Sequence, residues 1–213
     1  MERIAERWAD TLGRELNLDE PQREMLAYGL KILFSLVYSY SLTFFLAYLF
    51  GVWQLALVVI VTNSLLRSVS GGAHSSSPYI CGIFGALLTS AIALLARNVS
   101  NISLIALFIL IAVALYIVIR WVPAGNPKRP PPTPGKRRFF KMASTFLIVG
   151  WGFIFGLWKW NIICIPVQYV AASIFSIGWQ LFTLTPVGYW SLGKLDAFFM
   201  KALRYNNICK GGE

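Results

Sequence analysis

One histidine and a cysteine seven residues beyond it are the side chains best suited to chemistry in this chain. His74 and Cys81 lie in the segment Arg67-Ser-Val-Ser-Gly-Gly-Ala-His-Ser-Ser-Ser-Pro-Tyr-Ile-Cys81. An imidazole can take the proton of a thiol, and the resulting thiolate is a strong nucleophile. On one straight helix the two would share a face but stand about 10 Å apart along the axis. Proton exchange needs about 3 Å, so the chain between them has to bend. Gly71 and Gly72 permit unusual backbone angles, and Ser75, Ser76 and Ser77 followed by Pro78 favour a break. Ser77 then reads as the N-cap and Pro78 as the first residue of a helix. Cys81 falls in its first turn, where free amides and the positive end of the helix dipole favour a thiolate. The same amides can stabilise a developing oxyanion. Arg67 either binds a substrate carboxylate or anchors the chain at a membrane interface.

The competing reading is that Cys81 only packs, as buried cysteines often do; Cys164 is expected to pack in this way inside a span. Other hydrolytic chemistries fare worse. No Asp or Glu occurs between Glu24 and Asp196, which excludes an intramembrane aspartyl pair. A single histidine cannot supply a His-Glu-x-x-His zinc site. Ser75, Ser76 and Ser77 lie beside His74 but in no Gly-x-Ser-x-Gly elbow. Proton-coupled transporters usually carry ionisable residues within their spans, and these spans have none beyond their flanks. No acid is available near the loop unless one comes from the N-terminal helix or the tail, so the residues favour a dyad helped by Asn63, Ser64 or a backbone carbonyl over a triad with Asp.

The elements that must position this loop are membrane helices. The chain has 213 residues, 57% apolar and 13% charged, with a mean hydropathy of +0.62; ordinary soluble domains are about 25% charged. Apolar stretches long enough to cross a bilayer fall near 25–50, 52–66, 79–96, 102–119, 139–158 and 162–185. The second is short and is expected to tilt, thin the bilayer or re-enter. Before them, Ile4, Trp8, Leu12 and Leu16 recur at four-residue spacing among charged residues, the pattern of an amphipathic helix. The expectation is therefore an all-α integral membrane protein of about six transmembrane helices preceded by an amphipathic N-terminal helix.

Of the 19 Lys and Arg residues, all but Arg97 and Lys159 fall on one side of that arrangement. The positive-inside rule then puts both termini and the His74 loop in the cytoplasm. A net charge of +10 beside membrane spans reflects topology and attraction to anionic lipid; no nucleic-acid partner is expected. Cys81, Cys164 and Cys209 show no metal-type spacing, and a disulfide is not expected. The one biased segment runs from Val122 to Arg138, with six prolines and five basic residues from Pro123 onward. It is expected to be extended rather than helical, a topogenic loop and a cationic docking site for an acidic peptide or lipid headgroups.

The pattern Arg67-x4-Gly71-Gly72-x-His74-x6-Cys81 resembles the signature of the accessory gene regulator B (AgrB) family of membrane cysteine endopeptidases. Chain size, the amphipathic N-terminus and the basic loop of Pro123–Pro130 and Lys136–Lys141 extend the resemblance to nearly the whole chain. It implies one domain over 1–213: an amphipathic helix at 1–24, four spans over 25–119 with the Cys/His loop at 67–81, a basic loop at 120–141, two spans over 142–185 and a basic tail at 186–213. It implies that Cys81 attacks an AgrD-like propeptide near its C-terminus with His74 as base, and that the acyl-enzyme thioester passes to an internal thiol as a thiolactone. Arg67, Gly71, Gly72, Ser77 and Pro78 would support the site. Lys128, Arg129, Lys136, Arg137 and Arg138 would meet the acidic tail of the precursor. No cofactor or metal is implied; a homodimer in the cell membrane of a Gram-positive-type bacterium, its active site at the cytoplasmic side, is. The alternative from another class is a non-enzymatic membrane transporter or binding protein for peptide or lipid, with Cys81 structural.

Overall fold

The computed structural model describes residues 2–72, 78–124 and 133–210, which form eight helices. They are α1 (Glu2–Glu15), α2 (Glu20–Leu49), α3 (Trp53–Ser70), α4 (Pro78–Arg97), α5 (Leu104–Trp121), α6 (Pro134–Lys159), α7 (Val167–Leu184) and α8 (Pro186–Lys210). Local chemistry sets many of the boundaries. Asp19 and Gln22 cap α2 reciprocally, each side chain accepting from the other's backbone N–H at 3.0 and 3.2 Å. Ser103 caps α5 by accepting from Ala106 N–H. Proline is the first residue of α4, α6 and α8, where its missing N–H removes no helical bond. Helices α1, α2 and α6 end alike, with Asn17, Gly51 and Asn161 at positive φ and the next residue's N–H returning to Gly13, Ala47 and Leu157 carbonyls.

Six of these helices, α2 to α7, contain a stretch long and apolar enough to cross a membrane, which matches the number read from the sequence. The short second stretch becomes an 18-residue helix, about 27 Å long and close to the thickness of a hydrocarbon core. Large apolar side chains such as Phe146, Ile105 and Phe108 stay exposed, as expected where lipid rather than water is the neighbour.

Helix α7 is the hub. It packs against α3, α4, α5 and α8 and is the most buried of the six. Ala47, Ala56, Ala93, Ala96, Ala171 and Ala172 line the contacts of α2, α3, α4 and α7 with at most 1% exposure, so the backbones approach closely, as in other membrane bundles. A polar stripe of Ser173, Ser176, Gln180 and Thr183 runs down the buried face of α7. Ser173 Oγ lies 3.1 Å from Thr62 Oγ1 and accepts from Trp151 Nε1. Ser176 donates to the Val59 carbonyl. In a medium without water such bonds fix the register of α3 against α7.

Three expectations need correction. Cys164 lies in the α6–α7 connection and is exposed, because Pro166 delays the start of α7 until Val167. The basic segment is helical from Pro134 onward, since a proline at the first position starts a helix instead of breaking it. Residues 186–210, expected as a basic tail, form the long helix α8.

Candidate active site at the α4 start

The break after α3 is built by its glycines. Gly71 and Gly72 have φ of 75° and 137°, which residues with a Cβ rarely adopt. Gly71 pairs in parallel with Ala124: Ala124 N–H donates to the Ser70 carbonyl at 3.0 Å, and Gly72 N–H donates to the Ala124 carbonyl at 3.4 Å. A Cβ on Gly71 would run into that carbonyl, and one on Gly72 would stand 2.9 Å from Thr183 Oγ1. Gln180, 1% exposed, clamps the same turn from α7. Its Nε2 donates to the Gly71 carbonyl at 2.7 Å and to Ser70 Oγ at 3.0 Å. The roots of the Cys/His loop and of the basic loop are thereby held together. His74, Ser77, Lys128 and Arg129 lie outside the described residues.

Helix α4 is described from Pro78, so Cys81 is the fourth residue of that element. It is partly buried and lines a cavity of about 120 Å³ between α3, α4, α7 and α8. Most of the wall is apolar, with Phe84 and Trp179 rings 6.1 Å apart. Besides the hydroxyls of Thr89, Ser176 and Thr183, the thiol shares it with Asn63 and Arg67 from α3 and Asp196 from α8. Asn63 Oδ1 is buried and has no hydrogen-bond partner among the described residues, leaving an acceptor that a ligand N–H can fill. Ser64, the other suggested helper, faces α2 instead, 3.5 Å from the Tyr40 hydroxyl. On α8, burial pushes the Tyr189 phenol above its ordinary value, opposed by the nearby Arg67 cation.

Asp196, from the segment read as a tail, brings an acid to the cavity that Cys81 lines. The sequence hint was its isolation, as the first carboxylate after Glu24. Its placement depends on the turn into α8. Lys136, Arg137 and Arg138 are exposed on the first turn of α6 and do not line the cavity. Lys141, one turn on, donates to the Ile119 carbonyl at 2.7 Å and ties that helix to the end of α5. A nucleophile, a cation and an anion in one apolar cavity form a set that can attack a carbonyl and stabilise the charges produced, since low polarity strengthens each interaction.

Comparison with known proteins identifies the family. The chain is 26% identical to Putative AgrB-like protein 2 of Clostridium perfringens (strain 13 / Type A), across 95% of this chain and 100% of that one. It is 28% identical to the Accessory gene regulator protein B of Staphylococcus carnosus (strain TM300), over 65% of this chain and 72% of the other. The protein of the same name from Staphylococcus aureus (strain MRSA252) is 26% identical over 68% and 78%. No solved structure matches. The model of the accessory gene regulator B family matches residues 5–184, from the amphipathic α1 to the end of α7, and the chain belongs to that family.

Proposed function

We propose that this protein is a membrane cysteine endopeptidase that matures an AgrD-type propeptide. The observation that carries the reading is the position of Cys81 in a cavity that also holds Arg67 and Asn63, beside the glycine turn that leads towards His74. His74 takes the proton of Cys81, and the thiolate attacks a peptide carbonyl of the precursor. The tetrahedral intermediate collapses as His74 returns the proton to the departing amine, which leaves an acyl thioester on Cys81. A thiol within the bound peptide then attacks that carbonyl, closes a thiolactone and releases Cys81. One thioester replaces another, so the step is close to balanced. It outruns hydrolysis by holding the internal thiol near and by the apolar walls that exclude water.

Arg67 binds a carboxylate of the substrate, and Asn63 bonds its backbone. The acidic tail of the precursor lies along the basic stretch that includes Lys128, Arg129 and the exposed Lys136, Arg137 and Arg138, an attraction that weakens with salt. The site faces the cytoplasm of a bacterial cell membrane, where the positive-inside rule puts the basic residues and where an unexported precursor is found.

The test is co-expression with the precursor of wild type, Cys81→Ser and Cys81→Ala. Cleavage is lost in both variants, and undiminished cleavage in Cys81→Ala overturns the reading.

A further inference from the structure

Gly85 leaves a gap in the wall of the Cys81 cavity. It stands one turn beyond Cys81 on α4 and lines the same space, and a Cβ placed on it would meet nothing within 4 Å. The neighbouring small residues are packed instead. Gly82 lies against the Tyr38 ring and Ser39 Oγ of α2, and Ala86 is fully buried. The free space at Gly85 is therefore the cavity itself and not a loose helix contact. From Cys81 the lining continues along α4 to Ile92, about 16 Å at 1.5 Å per residue. On α3 it runs through Arg67, Asn63 and Val59, one turn apart. Helix α8 closes a further side: Thr185 Oγ1 accepts from Gly188 N–H at 3.1 Å, and beyond that tight turn Leu192 and Leu195 face the cavity.

Volume, wall and one polar atom define what fits. The cavity measures about 120 Å³, and an engineered apolar cavity of about 150 Å³ takes up benzene. There is room for one aromatic or branched aliphatic side chain and not for a folded segment. The Phe84 and Trp179 rings, 6.1 Å apart and tilted by 49°, supply an aromatic wall. Arg67 and Asp196, the charged members of the lining, each have interactions of their own. Asn63 Oδ1 is different, being buried with no hydrogen-bond partner among the described residues. The acyl chain of a lipid has no N–H to offer that oxygen, whereas a peptide backbone has one at every residue but proline. A thiol nucleophile on the same wall also suits a peptide and has no use for a lipid tail.

We infer that Gly85 opens a side-chain pocket beside Cys81, and that the precursor residue whose carbonyl Cys81 attacks is bulky and apolar. Its side chain enters between Phe84, Leu88 and Trp179, and its backbone N–H donates to Asn63 Oδ1. The inference rests on the endopeptidase reading for the identity of the occupant. The departing fragment carries the acidic tail to the basic stretch, so a cavity of low polarity is fitted to the acyl side, the part that stays on Cys81 as a thioester. Filling the pocket holds that thioester in place while the internal thiol approaches. Gly85 then sets the size of side chain that is accepted.

Two alkylating reagents of different size test the pocket. In full-length protein carrying Cys164→Ser and Cys209→Ser, Cys81 is the only thiol. Its rates of reaction with N-phenethyl iodoacetamide and with iodoacetamide are measured in detergent and expressed as a ratio. Both reagents lose iodide to the same thiol, so a general loss of reactivity cancels and the ratio reports the space for the ring. Gly85→Leu fills that space and favours the helix, and it lowers the ratio about tenfold; Gly85→Ala lowers it less. Gly150→Leu, whose Cβ is equally free but which lies on α6 outside the lining, keeps the wild-type ratio and controls for uptake of reagent by the micelle. An unchanged ratio in Gly85→Leu overturns the pocket. With the co-expressed precursor, Gly85→Leu cleaves poorly and recovers when the residue before the scissile bond, identified by mass spectrometry of the product, is replaced by Ala. Failure to recover overturns the assignment of the occupant. If Cys81→Ala still cleaves, the endopeptidase reading fails, a result separate from the alkylation ratio.

Discussion

Gln180 occupies a position where a single amide holds two elements together. It is 1% exposed and bonds both the Gly71 carbonyl and Ser70 Oγ. Gln180→Leu keeps the bulk but strands those partners, and we expect a loss of about 1–3 kcal/mol, read as a lower unfolding midpoint in detergent, together with weaker precursor cleavage. Gly178→Ala, two residues away with nothing within 4 Å of a new Cβ, serves as the neutral control. Gly72→Ala is expected to damage the turn through both its φ of 137° and the 2.9 Å approach to Thr183. Tyr189 gives a pH signature. Its folded-state pKa lies above the ordinary 10.0, so its contribution to stability is intact below that value. It is lost as pH rises from there through the folded value. Tyr189→Phe should remove that alkaline decline from the stability curve. These residues were only partly legible in the sequence. Gly71, Gly72 and Cys81 stood out because their types permit bends or nucleophilic attack. Gln180 did not, since one amide in an apolar helix looks the same whether it binds a turn, a ligand or another helix.

At the scale of elements, the six apolar helices were readable because twenty-residue apolar runs have few other uses. Helix α8 was not, because Leu192, Leu195, Phe198 and Phe199 are interspersed with lysines and no window reaches the length and hydropathy of a span. Its cavity-facing side becomes visible only once the Pro186–Gly188 turn folds it against α7. Truncation after Thr185 should leave the six membrane helices inserted yet abolish maturation of the precursor, since it removes one wall of the Cys81 cavity. Full activity in the truncated protein would separate α8 from the site. The start of α6 carries a different expectation. Replacing Lys136, Arg137 and Arg138 by Gln should weaken precursor binding and flatten its salt dependence, while Cys81 alkylation stays unchanged because none of the three lines the cavity.

For the whole molecule, crossing by all six candidate helices would put the two chain ends on one side of the membrane. Reporter fusions at each terminus should both give the cytoplasmic signal, and opposite signals would require one of the six candidate helices not to cross. The bundle is held chiefly through α7, with α2 contributing little buried surface of its own beyond its packing on α1, α3 and α4. The pairing of Gly71 with Ala124 bears on how such a protein diversifies. The stretch between Ala124 and Thr133 is pinned at one end by that pairing and at the other by the start of α6, so its ends are fixed whatever its length. Doubling such a loop costs only about 0.6 kcal/mol in closure entropy. Insertions and deletions there are therefore expected to be nearly neutral for the fold, and a variant lengthened between Ala124 and Thr133 should unfold at the wild-type midpoint.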